Sequence, residues 1–362
     1  MKVALIGAGQ IARQHLAALE KVPIAEVAGI CDLFPSVAEC AAERHRISAW
    51  YTDHRKMLAE VKPDVVHVTT PAASHLRLAT DALDAGAHVI VEKPATATLA
   101  ELEQLLRHAQ ERGRTVVEDY NYLFNQGTRE ILRRMEEGAL GSVVHVEVSI
   151  CLDILGPNGF ADPNVSHPAL GLRGGAIADF LPHLASLAHL FVGPHRSVRT
   201  VWNKRNSSVL PSDEFRAVVD AERGTAALSF SASSQPDSFW LRVHGTRMLA
   251  STNLFETRLV FDGLRPGPKP LRPFINGLLE ARDVGRAAVT TLLRKFTGGP
   301  GGYEGLFELV ARVYRSLSLG IELPITAAQI RAVNQLADAL KPPEAVKAPP
   351  LRLAGGRDGG HS

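Results

Sequence analysis

The chain has 362 residues, of which 45% are apolar, and its 40 basic and 38 acidic residues give a net charge of +2. This length predicts two domains, and the nearly balanced charge argues against nucleic acid as a partner. Three cysteines are too few for a disulfide framework and indicate a reducing compartment. The N-terminal apolar run is too short for a signal sequence, and no apolar run approaches the ~20 residues of a membrane helix. We therefore predict a cytoplasmic protein with no transmembrane segment and no metal site.

Residues 1–120 alternate between apolar strands and helices. The predicted strands are 3–6, 24–31, 65–68, 89–91 and 115–118. The predicted helices are 11–19, 35–45, 74–85 and 99–112. Strands that are apolar throughout and are separated by helices are typical of a parallel sheet covered on both faces. We therefore predict an α/β N-terminal domain with a doubly wound parallel sheet.

Residues 121–341 follow a different pattern, in which strands succeed one another across short turns. The predicted strands are 143–150, 197–203, 214–221, 225–232, 239–244 and 256–261. The predicted helices are 128–137, 177–191, 277–296, 303–319 and 327–340. This order predicts a C-terminal α+β domain with one open, mainly antiparallel sheet. Residues 342–362 are rich in proline and glycine and are predicted to be a disordered tail.

A glycine-rich turn, GAGQIA at 7–12, joins the first predicted strand to the first helix. Gly7 permits a tight turn, and Gly9 lets the backbone approach a pyrophosphate, whose charge favours the N-terminus of the helix that Gln10 and Ile11 begin. In this strand–turn–helix context the GxGxxA form predicts a dinucleotide-binding loop. The alternative is an ordinary turn that binds no ligand.

Polar residues at the ends of later strands extend this predicted cofactor site. Asp32 lies 25 residues after Gly7, where a carboxylate can accept hydrogen bonds from both ribose hydroxyls and would repel a 2′-phosphate. It therefore favours NAD over NADP, the alternative being a surface acid. Thr70 and Pro71 end the third strand, and we assign both to the cofactor cleft. His75, at the head of the next helix, is predicted to line that cleft or only to begin the helix.

The segment Glu92-Lys93-Pro94 ends the fourth strand. Ligands of parallel sheets lie at the carboxyl ends of the strands, so a lysine there points into the cleft. Its ammonium can donate to an alcohol oxygen and stabilise the alkoxide as it forms. The alternative is a solvated surface lysine.

Asp179 and His183 are four residues apart, a spacing that places both on one face of a helix. A histidine suits a general base because its usual pKa is close to neutrality, and Asp179 can orient the imidazole or bind a neighbouring hydroxyl. Pro182 fits only the first turn of the helix, so both groups should lie near its start. With Lys93, this set suits a reaction in which a hydroxyl loses a proton while its carbon loses a hydride. The alternative is a helix N-terminal acid and a core histidine.

The ordered combination of these segments resembles the Gfo/Idh/MocA family of glucose–fructose oxidoreductases, inositol 2-dehydrogenases and rhizopine-catabolism proteins, over roughly 1–260 and 303–340. The shared motifs are the glycine loop, Thr70-Pro71 with His75, Glu92-Lys93-Pro94, Tyr120-Asn121-Tyr122, Gly138-Ala139-Leu140-Gly141, and Gly174-Gly175 ahead of Asp179 and His183. The resemblance implies a Rossmann domain, an open-sheet domain and a tightly held nicotinamide cofactor. It also implies a sugar, cyclitol or sugar-nucleotide substrate and a homodimer or homotetramer.

The resemblance also implies roles for individual residues. Lys93 and His183 would be the catalytic pair, with Asp179 assisting. Glu92 would support Lys93, and Asn121 would line the junction of cofactor and substrate.

The chain departs from the family pattern at four positions, which leave the catalytic set intact and concern the substrate: Ala72, Leu123, Arg173 and Leu181. We expect Leu123, Arg173 and Leu181 to lie near the substrate. The loop 152–173, which contains Asn164 and His167, is predicted to determine specificity or to be a plain loop.

Residues 263–302 lie outside the common family pattern and contain the amphipathic helix 277–296. The polar face of this helix has an excess of two positive charges. We expect the helix to pack on its own sheet or on a second subunit, the alternative being contact with a membrane surface.

These observations lead to the hypothesis of an NAD-dependent oxidoreductase that acts on a secondary alcohol or ketone of a sugar, cyclitol or sugar nucleotide. One alternative is a family member that retains NAD for redox-assisted elimination or hydrolysis of a glycoside. The other is a non-catalytic, NAD-binding sensor.

Overall fold

The computed structural model describes residues 1–154, 156, 172–256, 258–263, 269–296 and 303–343. The N-terminal domain has six strands, β1 (Lys2–Ile6), β2 (Glu26–Cys31), β3 (Trp50–Tyr51), β4 (Val65–Val68), β5 (His88–Val91) and β6 (Val116–Glu118). Its helices are α1 (Gln10–Leu19), α2 (Pro35–His45), α3 (His54–Val61), α4 (His75–Asp84) and α5 (Leu99–Glu111).

The six strands form one parallel sheet in the order β3-β2-β1-β4-β5-β6. All four residues of β4 are buried, because helices cover both faces of the sheet. The strand order reverses between β1 and β4, and such a reversal opens a crevice at the carboxyl ends of the two strands. The predicted doubly wound α/β sheet is confirmed.

Two elements of this domain were not predicted. β3 has only two residues, too few for a periodic signal. α3 is short and mostly polar, and it depends on its N-cap, where the Asp53 carboxylate accepts hydrogen bonds from the backbone N–H groups of Arg55 and Lys56.

The second domain has seven strands, β7 (Val143–Cys151), β8 (His195–Asn203), β9 (Glu214–Ala221), β10 (Gly224–Ser231), β11 (Ser238–Gly245), β12 (Met248–Asn253) and β13 (Leu259–Gly263). Its helices are α6 (Gln126–Glu136), α7 (Leu181–Val192), α8 (Arg272–Phe296), α9 (Glu304–Leu319) and α10 (Ala327–Leu340). The strand order is β13-β12-β11-β7-β10-β9-β8, with β7 and β10 parallel and the other pairs antiparallel. The predicted open, mainly antiparallel sheet is thereby confirmed.

Helix α7 buries one face of this sheet. The segment Gly175–Val192 is long and apolar enough to cross a membrane by length and composition, but 72% of it is buried inside the protein. It packs against β7, β10 and α10, which makes it a core element of the domain.

Where one strand was predicted at 256–261, the structure has β12 and β13 joined by a turn, with Ser251 paired to Val260. β12 was not predicted because the second half of its sequence is polar. Two of these polar side chains are buried and form hydrogen bonds that exist only in the folded protein. The Thr252 hydroxyl donates to the Arg258 carbonyl at 2.8 Å, and Asn253 Oδ1 accepts from the Phe239 N–H at 3.1 Å.

The predicted helix 177–191 is a 3-10 turn, Gly175–Phe180, followed by α7. Pro182 lies in the first turn of α7, as its ring requires. Asp179 is therefore in the 3-10 turn and His183 in the α-helix. Both lie near the start of α7, as expected.

The C-terminal helices pack against both domains. α9 lies against α1, and α10 lies against α5 and α7. Arg331 on α10 donates two hydrogen bonds to the Glu103 carboxylate on α5, at 2.6 and 3.0 Å. These contacts fix the second domain against the first.

The helix predicted at 277–296 begins earlier, at Arg272, and lies beside β13. The Asn276 amide donates to Asp262 of that strand at 2.7 Å. Phe274, Leu278 and Val289 are more than half exposed. Asn164, His167 and residues 344–362 lie outside the described part of the chain.

Candidate active site

The glycine loop joins β1 to α1 at the crevice. Gly7 has φ +97°, and a Cβ on it would lie 2.7 Å from the Thr69 carbonyl oxygen, so the position requires glycine. A Cβ on Gly9 would meet nothing within 4 Å. This open space adjoins the N-terminus of α1, at Gln10 and Ile11, which has no side-chain cap. The N–H groups of a first helical turn lack intrahelical partners, so the loop fits a pyrophosphate.

Asp32 directly follows β2, and two backbone N–H groups hold its carboxylate. Oδ2 accepts from Ala8 at 2.8 Å, and Oδ1 accepts from Phe34 at 3.0 Å. The bond to Ala8 ties the carboxylate to the glycine loop. An ionised carboxylate has about four acceptor sites, so Asp32 keeps capacity for ribose hydroxyls.

Thr70 and Pro71 follow β4 at the edge of the crevice, whereas His75 lies beneath it. His75 is 0% exposed and is the first residue of α4, so its place in the cofactor cleft stays a prediction. Its Nε2 is 2.6 Å from the Thr70 carbonyl oxygen and its Nδ1 is 2.9 Å from the Pro94 carbonyl oxygen. His75 therefore connects the segments that follow β4 and β5. Burial lowers its pKa.

Lys93 and Asp179 meet between the two domains. Lys93 Nζ lies 2.9 Å from Asp179 Oδ2 and 3.0 Å from the Asp179 carbonyl oxygen. Burial alone would lower the pKa of Lys93, but the negative charges of Asp179 and Glu92 outweigh it and raise that pKa. Lys93 is therefore an ammonium at neutral pH.

His183 lies nearby and is 8% exposed. Burial, and then the positive charge of Lys93, lower its pKa to about 3, against a smaller opposing effect of Asp179. The imidazole is therefore neutral, and its pKa is well below the near-neutral value that we expected. Its Nδ1 is buried without a hydrogen-bond partner among the described residues. The ring of Tyr122 packs edge-to-face against it, with centroids 4.8 Å apart.

Glu92 and Asn121 occupy the ends of neighbouring strands. Glu92 is buried, and its Oε2 accepts from the backbone N–H of Lys93 at 3.3 Å. Asn121 begins the 3-10 turn after β6 and is 7% exposed. Its Oδ1 accepts from the backbone N–H of Tyr122 at 3.0 Å, and its amide NH₂ can donate to a ligand.

The structure adds Tyr303 to this site, which the sequence did not indicate. Burial and the charges of Glu92 and Asp119 raise the pKa of its phenol, and the charge of Lys93 lowers it. Tyr303 directly precedes α9 and is 36% exposed. It was missed because its approach to Lys93 depends on how α9 packs and not on any local motif.

Three of the residues at which the chain departs from the family pattern have defined packing or hydrogen-bond contacts: Leu123, Leu181 and Arg173. Leu123 and Leu181 are 5% and 1% exposed and belong to the hydrophobic core. The Arg173 guanidinium donates to the Pro342 carbonyl at 2.5 Å. Leu123 and Leu181 thus contribute to packing, and their proximity to the substrate stays a prediction.

A doubly wound sheet with a glycine loop, joined to an open-sheet domain across a lysine–aspartate pair, defines a dinucleotide-binding oxidoreductase fold. The model of the oxidoreductase family with an NAD-binding Rossmann fold matches residues 1–120, and that of the GFO/IDH/MocA C-terminal domain matches residues 128–250. The chain belongs to the Gfo/Idh/MocA family, as its motifs predicted.

Similar proteins align with part of the chain. D-Glucoside 3-dehydrogenase of Escherichia coli strain K12 is 32% identical over 144 residues, which are 40% of this chain and 41% of the relative. The uncharacterized oxidoreductase YrbE of Bacillus subtilis strain 168 is 24% identical over 62% of each chain. The chain thus spans about two fifths and three fifths of the lengths of these relatives.

Solved structures align over nearly the whole chain. Levoglucosan dehydrogenase in complex with NADH and levoglucosan has a TM-score of 0.76 at 20% identity, over 94% of this chain and 96% of that chain. At this identity the match shows the shared fold.

Proposed function

We propose that the protein is an NAD-dependent oxidoreductase that transfers a hydride between nicotinamide and a secondary alcohol or ketone of a sugar, cyclitol or sugar nucleotide. The observation that carries this proposal is the 2.9 Å contact between Lys93 Nζ and Asp179 Oδ2. It lies at the carboxyl end of the parallel sheet, where ligands bind in such folds. The names of two similar proteins, D-glucoside 3-dehydrogenase and levoglucosan dehydrogenase, support a carbohydrate substrate.

The glycine loop, with Gly7, Gly9, Gln10 and Ile11, would hold the pyrophosphate, and Asp32 the ribose. A nicotinamide bound there supplies the acceptor or donor of the hydride. The proposed cofactor set also includes Thr70, Pro71, His75, Glu92, Lys93 and Asn121. His75 would act from beneath the cleft by fixing the Thr70 carbonyl.

Lys93 would donate a hydrogen bond to the reacting oxygen and stabilise the alkoxide. Its fixed charge suits this role, because a preorganised cation stabilises negative charge that develops in a transition state. Asp179 holds the ammonium in place and offers its second carboxylate oxygen to a neighbouring hydroxyl.

His183 would take the hydroxyl proton. Its imidazole is neutral, which is the form that accepts a proton. In the free site burial lowers the pKa of His183 most, and the charge of Lys93 adds a second opposition to its protonation. Once Lys93 is paired with an alkoxide that opposition weakens, and the Asp179 carboxylate stabilises the imidazolium.

NAD over NADP is part of the proposal and rests on Asp32. The carboxylate would repel a 2′-phosphate, and its bond to the Ala8 N–H fixes it beside the loop. An at least tenfold higher kcat/KM with NAD than with NADP is the expected result, because juxtaposed like charges cost several kcal/mol. Equal kcat/KM values would remove this part of the proposal.

A homodimer or homotetramer in the cytoplasm completes the proposal. The outer face of the seven-stranded sheet exposes Val201 and Val218, which are 55% and 59% exposed on neighbouring strands. Such apolar residues on an uncovered sheet face suit a second copy. Cys31, Cys40 and Cys151 are free thiols, which suits a reducing compartment. Light scattering of the wild type and of Val218→Asp tests the assembly, and a monomeric wild type would contradict it.

A substrate panel tests the reaction. Purified protein is mixed with NAD and with sugars, cyclitols and sugar nucleotides, and absorbance is followed at the reduced-nicotinamide band. Stoichiometric NADH per substrate supports the proposal. Glycoside cleavage without net NADH would instead favour retained NAD and redox-assisted elimination, and NADH binding without turnover of any compound would favour a sensor.

A further inference from the structure

A buried chain of hydrogen bonds runs from α9 to the residue that precedes Lys93. Tyr314 Oη lies 3.1 Å from His67 Nε2, and His67 Nδ1 lies 2.8 Å from His15 Nδ1. His15 Nε2 lies 2.9 Å from Glu92 Oε1. Tyr314, His67 and His15 are each 0% exposed, and Glu92 is 7% exposed. The chain crosses from the second domain through α1 and β4 of the first.

The chemistry of each group fixes the direction of these bonds. An ionised carboxylate only accepts, so His15 Nε2 must carry a hydrogen and donate to Glu92. When His15 is neutral, its Nδ1 atom accepts from the N–H at His67 Nδ1. The Nε2 atom of His67 is left as an acceptor for the Tyr314 hydroxyl. Burial lowers the pKa of His67 well below its usual value, which agrees with a neutral ring.

The donor at His15 Nε2 therefore points towards Glu92, and with both rings neutral the other donors of this hydrogen-bonded chain point the same way. On its other side, Glu92 accepts from the Lys93 N–H at 3.3 Å, and its charge acts on the Lys93 ammonium. Asp119 also forms a hydrogen bond with Glu92, and burial and the charge of Glu92 raise the pKa of Asp119 well above its usual range. Asp119 is thus the protonated partner, and the negative charge of this pair resides on Glu92.

We propose that Tyr314, His67 and His15 are positioning residues that keep Glu92 ionised and oriented beside Lys93, and so keep Lys93 protonated for the reaction. This inference rests on the proposed role of Lys93. It gives a function to three buried polar side chains that never touch the substrate.

The expected pH effect follows from the groups around Lys93. Those groups are Glu92 and Asp119 of the first domain, Asp179 and His183 of the second, and Tyr303 before α9. The charge of Glu92 also acts on His75 and on Glu118, in each case to raise the pKa. Without the donors of the hydrogen-bonded chain, the Glu92 carboxylate is no longer held beside Lys93, so its charge raises the pKa of Lys93 less. Activity that requires protonated Lys93 then falls at a lower pH.

The hydrogen-bonded chain is tested at increasing distance from Glu92 by three variants, His15→Leu, His67→Leu and Tyr314→Phe. The alkaline limb of the kcat/KM profile should move to lower pH, by roughly one unit for His15→Leu and by progressively less for the other two. His15→Gln keeps a donor at the Nε2 position and should restore most of the shift. A limb that stays in place in His15→Leu and Tyr314→Phe would overturn the inference.

Tyr120→Phe is the matched control. Tyr120 is also 0% exposed, and its hydroxyl donates to Glu118 at 2.7 Å, outside the hydrogen-bonded chain that ends at Glu92. It should leave the alkaline limb unchanged. An equal shift in Tyr120→Phe and Tyr314→Phe would show a general loss of packing and would contradict a directed chain.

An NMR measurement on the full-length protein tests the chain without turnover. Nitrogen-15 spectra of the histidines should show the hydrogen on Nε2 of His15 and on Nδ1 of His67, and the lysine 13Cε titration should give a lower pKa for Lys93 in His15→Leu. The opposite tautomers, or an unchanged Lys93 titration, would refute the inference. If Lys93→Ala retains full turnover while these NMR results hold, the proposed function is wrong, but the hydrogen-bonded chain from Tyr314 to Glu92 is still supported.

Discussion

Lys93 Nζ lies 2.9 Å from Asp179 Oδ2, and the two residues come from different domains. The lysine follows a strand of the parallel sheet, and the aspartate lies in the turn before the core helix of the open sheet. The site therefore exists only when the two domains are packed together. The contacts of α9 and α10 with the first domain maintain that packing.

The first prediction concerns the charge of Asp179. In Asp179→Asn the largest effect that raises the pKa of Lys93 is lost, so burial lowers this pKa. The alkaline limb of kcat/KM should move to lower pH by roughly one unit or more. Asp220→Asn, which changes an exposed aspartate on the outer sheet face, is the control. Identical profiles for Asp179→Asn and the wild type would contradict the assignment of Asp179 as the partner of Lys93.

The second prediction separates two glycines of one loop. Gly7→Ala should lower the free energy of unfolding by more than ~1 kcal/mol, because φ is +97° and the added Cβ would lie 2.7 Å from a carbonyl oxygen. Gly9→Val should leave Tm near the wild-type value, because the added atoms enter open space, and should weaken NADH binding. Thermal unfolding and NADH fluorescence titration measure the two effects. A Gly9 variant that binds NADH as the wild type does would remove the loop from the cofactor site.

The third prediction uses a buried carboxyl outside the proposed site. Burial raises the pKa of Glu118 to about 7, although Tyr120 and Asn334 donate to it. A group whose pKa is raised in the folded state stabilises it fully below the unfolded pKa of 4.5, and that contribution is lost as pH rises through about 7. The loss amounts to roughly 3 kcal/mol.

Urea unfolding at pH 5 and pH 8.5 measures this effect. The wild type should lose more stability than Glu118→Gln between the two pH values, because glutamine has no proton to lose. Equal losses in both proteins would show that Glu118 is ionised in the folded state at neutral pH.

The sequence predicted the elements whose signals are local. The apolar strands of the parallel sheet, the glycine loop and the start of α7 at Pro182 all follow from neighbouring residues. The sequence also predicted that Lys93, Asp179 and His183 serve one site, but not that Asp179 pairs directly with Lys93.

Other features depend on packing, which no local pattern encodes. His15 and His67 are 52 residues apart and meet only because α1 lies on β4. Tyr303 reaches the site through the packing of α9. The low pKa of His183 could not be predicted either, because burial, and then the proximity of Lys93, set it.

The last prediction tests the central claim, that Lys93 stabilises the reacting oxygen during hydride transfer. Single-turnover absorbance at the reduced-nicotinamide band, with a substrate identified from the panel, compares the wild type with Lys93→Ala. The variant should reduce NAD at least ~10²-fold more slowly, with the Kd for NADH largely unchanged, because only transition-state stabilisation is removed. A wild-type rate in Lys93→Ala would contradict the claim.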